Sequence, residues 1–307
     1  MRVFIAILLL LKFVFAAEFL GEIKTNYPVT NLLLKDKNLY ISTDSGEVLV
    51  YDVEQNKTIK TINLPQISSY FETKSPKVFS TDALNDKILI LSEDDYYKRA
   101  IYIYENGALN KIKLDNESVK KALFINEILI VYASLSSEIS FFDLSKKEVI
   151  FEYKFSTSSL GDIEILDDIL IVGCESGEIY KFSLDENRVL DTILAHKDNI
   201  YDLYINGKDE FISGSADKNA VFYKDGNLKS FQANFLVYAV GLSEKYLAFM
   251  SDENSDISVF DKSFKRVDFI KTDQSTLNAI IIYKDLIFSS AYEKNIKIWR
   301  IEWIFQV

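Results

Sequence analysis

Apolar and polar residues alternate along the chain in short blocks, and one block order recurs. A mixed strand is followed by a polar turn, a more continuously apolar strand, a turn rich in Asp, Glu, Ser or Asn, and a strand ending on an aromatic. The third strands of this pattern read VLVYD, IYIYE, ISFFD, IYKFS, AVFYK, ISVFD and IKIWR. Their aromatics are Tyr51, Tyr104, Phe142, Phe182, Tyr223, Phe260 and Trp299, at intervals of 53, 38, 40, 41, 37 and 39 residues. About 40 residues is the length of one four-stranded blade, so seven copies predict an all-β, seven-bladed β-propeller.

The first strand of each repeat (VTNLLL, VFSTDAL, VKKALFI, LGDIEIL, IYDLYI, VYAVGL, LNAIII) is predicted to line the central channel. Second strands such as KILILS and DILIVG have the apolar continuity of strands sandwiched on both faces. The segment FLGEIKT, Phe19 to Thr25, resembles the fourth strands of other repeats and is expected to complete the last blade, tying the two ends together. The alternative is that Ile301 to Val307, IEWIFQV, supplies that strand. The long first interval places an insertion, Asn63 to Val78, between the first two blades, either a functional loop or tolerated slack.

The chain starts differently. Arg2 precedes an apolar run to Leu11, and Val14-Phe15-Ala16 fits a cleavage site, so residues 1–16 are expected to be a secretory signal peptide and 17–307 the propeller. The run is too short to span a bilayer and Lys12 interrupts it, although retention as an anchor stays open; no Cys follows for lipid attachment. The predicted location is the periplasm, as a monomer with no stable membrane insertion after cleavage.

Composition then removes function classes. Without the leader, 33 basic residues face 46 acidic ones, a formal charge of −13, which argues against nucleic acid as a partner. Cys174 is the single cysteine, so no internal disulfide forms. His196 is the single histidine, which excludes metal or haem sites needing several imidazoles from this chain. Carboxylates cluster at Glu93-Asp94-Asp95, Asp167-Asp168, Asp252-Glu253 and Asp256, but in turns without the spacing of a calcium loop, and glycine-rich phosphate loops are absent. The expectation is therefore no catalytic residue, no cofactor and no metal.

The stretch from Ile193 to Gly226 holds His196, Ser213, Asp217 and Tyr223, and Ser289 to Glu302 ends on Trp299. These two stretches resemble blades of the WD40 family, and the resemblance implies a structural hydrogen-bonded His, Ser, Asp and Trp set within a blade. Here Tyr223 stands where the family has Trp, and no other blade has a His. The turns between second and third strands share one face and form an acidic ring, so Asp94, Asp95, Glu178, Asp252 and Asp256, with Tyr96, Tyr97 and Tyr292 as aromatic contacts, are the candidate partner-binding residues.

Length, leader, weak WD40-like repeats and the lack of catalytic motifs together make the chain similar to the NapL family of accessory proteins encoded with periplasmic nitrate reductases. That resemblance implies a non-catalytic periplasmic propeller assisting maturation or operation of the reductase, with the reductase or its cytochromes as partners. Two other readings stand beside it: an envelope scaffold in outer-membrane protein assembly, and a propeller enzyme, either a quinone-dependent dehydrogenase or a lactonase.

Overall fold

The computed structural model describes residues 17–114, 116–206 and 209–301. Within them the chain forms seven four-stranded antiparallel sheets arranged as the blades of a β-propeller. Blade 1 runs Val29–Lys35, Asn38–Thr43, Glu47–Asp52 and Lys57–Asn63. The first strands of blades 2 to 7 are Val78–Leu84, Val119–Phe124, Leu160–Leu166, Ile200–Ile205, Val240–Leu242 and Leu277–Tyr283. Each first strand packs against the first strands of both neighbouring blades, which closes the ring around a central channel. Blade 6 has a shorter inner strand than its repeat pattern predicted, Val240–Leu242 in place of a strand beginning at Val237.

Seven apolar clusters, each shared by two adjacent blades, make the core. In blade 4's second strand, Ile169–Cys174, residues Ile169 and Ile171 face blade 5, while Leu170, Val172 and Cys174 face blade 3. Both faces are buried, which is why these strands read as unbroken apolar runs. Cys174 sits in the blade 3–4 cluster, and burial raises its thiol pKa.

The blade 7 sheet is completed by Glu18–Lys24, which pairs antiparallel with Asn295–Arg300. This is the predicted ring closure, with the strand one residue earlier at each end than FLGEIKT. Phe19 packs its ring against Trp299 at a centroid separation of 5.1 Å. The predicted leader lies outside the described residues, as does all of the alternative closing segment beyond Ile301.

In six blades the first strand bulges at its second residue, at Thr30, Phe79, Lys120, Gly161, Tyr201 and Asn278. A bulge re-aims side chains and bends the strand, here at the ring of contacts between blades. Gly161 shows how tight those contacts are: a Cβ there would stand 2.2 Å from the Ile200 carbonyl oxygen of the next blade. Gly161→Ala should therefore force blades 4 and 5 apart locally and cost about 1–3 kcal/mol. Denaturant unfolding reads this directly, and an unchanged midpoint would show that the two strands can part freely.

Candidate partner-binding face and central channel

The turns between second and third strands and the connections between successive blades share one face, called here the upper face. The insertion rises from it as a short hairpin, Ile67–Ser68 pairing with Thr73–Lys74. Its root is fixed, because Ile67 is buried and the Ser68 amide donates to Asp95 Oδ1 at 2.7 Å. Its tip carries Tyr70 and Phe71, 71% and 91% exposed.

Beside the hairpin, Asp95–Tyr97 forms a 3-10 turn, the single helical element among the described residues. Tyr96 and Tyr97 both hold left-handed backbone angles, φ 55° and 66°. Bulky residues rarely adopt this region, and each such residue carries strain of order 1–3 kcal/mol. The result is that both rings stand half-exposed, with Tyr70 packed on them at 5.2 and 6.1 Å. Four aromatic side chains thus share one outward-facing knob.

The other residues of the predicted acidic ring are less uniform. Asp94 is buried and ion-paired with Lys111 of its own blade, so it is not the solvated turn acid that its sequence context implied. Asp256 is also buried, accepts a hydrogen bond from the Thr272 amide, and has its pKa raised by burial and by Asp252. Asp252 caps its turn by accepting from the Asn254 and Asp256 amides at 3.0 and 3.1 Å. Glu178 accepts from Tyr180 Oη at 2.7 Å; burial and this carboxylate push the Tyr180 phenol up to about 12. Tyr292 is half-exposed and donates to Asp44, which raises its pKa to about 12. Most of the ring's carboxylates are thus occupied in holding turns, and the exposed part of the prediction is the tyrosines.

The channel holds charge that the repeat pattern did not reveal. Lys121 donates to Asp162 at 2.9 Å and to Glu164 at 2.7 Å, from blade 3 to blade 4. Burial opposes the Lys121 charge, but the two carboxylates more than offset it and raise its pKa. Burial raises the pKa of Glu164 against the pull of Lys121, and raises that of Asp202 further, with Asp162 adding to the effect.

These carboxylates also join blades through backbone amides: Phe124 N donates to Asp82, Leu203 N to Asp162 and Val240 N to Asp202, at 2.8, 3.2 and 2.8 Å. Each carboxylate accepts from the first strand of the following blade. The channel cavity is about 390 Å³, and its acids are committed to these contacts. Among the described residues, no group of three His, Cys, Asp or Glu side chains is placed to hold a metal ion.

In blade 5, His196 Nδ1 lies 3.2 Å from both Asp217 oxygens, and Nε2 lies 2.8 Å from Ser213 Oγ. The carboxylate only accepts, so Nδ1 carries the proton and Nε2 accepts from the Ser213 hydroxyl. Tyr223 stacks on Phe211 at 4.7 Å instead of joining this chain of hydrogen bonds. Blade 7 reaches a similar arrangement with other residues: Trp299 Nε1 donates to Ser289 Oγ at 3.0 Å, and Ser289 Oγ donates to Gln274 Oε1 at 2.6 Å. Gln274 is hidden in the sequence because a glutamine stands where the WD40-like pattern has a histidine; its place just before the first strand of blade 7 is the available signal.

Burial lowers the His196 pKa, and Asp217 only partly opposes this. A depressed folded pKa means the unfolded chain takes up the proton more readily, so this residue's effect on stability is absent well above pH 6.5 and becomes destabilising as pH falls through and below that value. The single imidazole should titrate below 6.5 by NMR; a midpoint above 6.5 would reverse the sign.

No family model matches the chain, and the search of curated proteins returned no match.

Proposed function

We propose that this protein is an exported, non-catalytic propeller that binds partner proteins through its upper face. The observation that carries this reading is the Tyr70, Phe71, Tyr96 and Tyr97 knob, whose exposure depends on two adjacent tyrosines in strained backbone. Strain of this kind at an exposed aromatic pair is a feature of binding sites. The insertion that supplies half of the knob is anchored by Ile67 and Asp95, which favours a functional loop over slack.

Export is supported at the start of the described chain. The Ala17 nitrogen donates to Asp268 Oδ1 of blade 6 at 3.0 Å, and Asp268 is 3% exposed. Cleavage after Ala16 turns that nitrogen into an α-ammonium and the contact into a charge-assisted bond. The WD40-like character rests on the His196, Ser213 and Asp217 contacts and on Trp299. The more specific role, an accessory protein for periplasmic nitrate reductase that docks the reductase or its cytochromes, rests on the sequence resemblance alone.

The test is affinity capture from periplasm at low salt, with wild type and a Tyr96→Ser/Tyr97→Ser variant, and N-terminal sequencing of the bait. Recovery of reductase components by wild type and not by the variant supports the full reading. Recovery of barrel-assembly components favours the scaffold alternative. A folded wild-type bait that retains no protein removes the partner-binding reading.

A further inference from the structure

Between the aromatic knob and the channel mouth lies an open basin of about 650 Å³, lined by the insertion, blade 2 and turn residues of blades 1 and 7. Its lining holds three cations against two carboxylates, Asp44 and Glu93, a local excess opposite in sign to the net charge of the chain. Lys74, Lys77 and Arg99 enter it, in a protein with a formal charge of −11. Lys74 is paired with Glu93 at 2.8 Å. Among the described residues neither the Lys77 ammonium nor the Arg99 guanidinium has a carboxylate oxygen within 4.0 Å, although Glu93 also accepts from the Lys77 backbone amide at 3.4 Å; Glu93 and Glu117 act on Arg99 only from farther away.

Both cations are positioned by aromatic rings. The Arg99 guanidinium lies 4.0 Å from the centre of the Phe79 ring, and Lys77 Nζ lies 5.7 Å from that ring and 5.5 Å from Tyr292. Arg99 also donates to the carbonyls of Tyr97, Lys98 and Val119, so its side chain is fixed in direction. The two groups are half-buried, cationic, pre-oriented and flanked by apolar faces. Leaving a cation partly desolvated without a counter-ion is unfavourable, and an incoming anion relieves that cost.

From this geometry we infer that the basin is a recognition site for an acidic peptide segment of a partner, its carboxylates meeting Lys77 and Arg99 and an adjacent aromatic residue packing beside Phe79 and Tyr292. The size favours a peptide over a free inorganic anion, since about 300–1,000 Å³ is the range of sites that take ligands of several hundred daltons. Planar carboxylates suit the guanidinium edge. The knob lies against the same basin through Tyr97, so a segment crossing from one to the other touches both. The inference rests on the partner-binding reading and gives the partner's chemistry: an acidic, aromatic-containing segment, recognised by the Lys77 and Arg99 side of the basin, where Lys74 is already paired with Glu93 and Asp44 accepts from Tyr292.

The probe is an end-blocked pentapeptide of alternating glutamate and phenylalanine, with its lysine counterpart and inorganic phosphate as controls, titrated calorimetrically into the full mature protein. The glutamate peptide should bind, weaken as salt rises, and lose about tenfold or more on Lys77→Gln. Arg99→Lys should retain part of the affinity and Arg99→Gln little of it, with thermal melts confirming the fold of each.

Binding of the lysine peptide with equal affinity, or of phosphate with no binding of the glutamate peptide, overturns the inference. So does wild-type affinity in Lys77→Gln. The general reading is separable: if periplasmic capture of a partner survives Lys77→Gln unchanged, partner binding stands and the basin falls. If the wild type captures nothing while the peptide still binds in the predicted way, the basin stands and the identity of its occupant moves to another source.

Discussion

Lys121→Met should destabilise the protein by about 3–5 kcal/mol, although it replaces a charge by an apolar chain of similar length. The ammonium lies between Asp162 and Glu164 at 2.9 and 2.7 Å, and all three groups sit in the channel wall with little solvent. Removing the cation leaves two carboxylates close together without the charge that makes their ionisation tolerable. Asp162 is additionally bound to the Leu203 amide, so it cannot simply turn to water without loosening blade 5.

The pH dependence has a definite sign. Burial already raises the Glu164 pKa against the pull of Lys121, and with Lys121 gone that opposing pull is lost, so the folded pKa of Glu164 lies above its unfolded one. The penalty at Glu164 is then fully present above that raised value and shrinks as pH falls through it. Denaturant unfolding at pH 7.5 and pH 5 measures it: a smaller loss at pH 5 is expected. Equal losses at the two pH values would mean that Glu164 is relieved by water and not by Lys121.

Trp299→Ala should cost a similar amount, about 3–5 kcal/mol, for a different reason. The indole is 7% exposed, fills the cluster between blades 6 and 7, and donates to Ser289 Oγ at 3.0 Å. It also supports the Phe19 ring, and through it the closing strand. Truncation leaves a cavity at the seam of the ring. Hydrogen exchange should therefore rise first at Glu18–Lys24, ahead of the other fourth strands. Trp299→Phe keeps most of the packing and loses the N–H, and should cost about 1 kcal/mol. Uniform exchange across all blades in the alanine variant would show that closure does not depend on this contact.

The frame of the molecule was legible because it depends on local pattern. Each third strand ends on an aromatic, each second strand is buried on both faces, and both features survive in the one-dimensional order of residues. The ring closure was legible because Phe19 to Thr25 looks like a fourth strand with no blade of its own. Tyr96, Tyr97 and Tyr292 were found as exposed aromatics since tyrosines amid charged turn residues have little to pack on.

The misread residues depend on contacts between distant segments. Asp94 looks like a solvated turn acid until Lys111, on the fourth strand, is seen to reach it. Lys121 and Asp162 are 41 residues apart, one repeat, and meet only because blades 3 and 4 are neighbours. The hint was present in isolated charges inside otherwise apolar first strands, VKKALFI, LGDIEIL and IYDLYI. Charged residues on a channel strand look like the ordinary alternation of a half-buried strand, whereas a narrow channel removes the water that alternation presumes. The basin was hidden for the same reason, since Lys74, Lys77 and Arg99 come from two separate stretches that the insertion folds together.

The closing strand sets an order of events as well as an architecture. Glu18 and Arg300, 282 positions apart, end as neighbours in one sheet. A chain that emerges amino end first therefore carries the outer strand of its last blade from the outset, and that strand has no sheet to join until the final repeat has appeared. Blades can form one by one in the meantime, but the ring stays open, with two free edges, until the last piece arrives. Closure of the ring thereby reports that all seven repeats have been delivered, read out by the hydrogen bonds of one pair of strands.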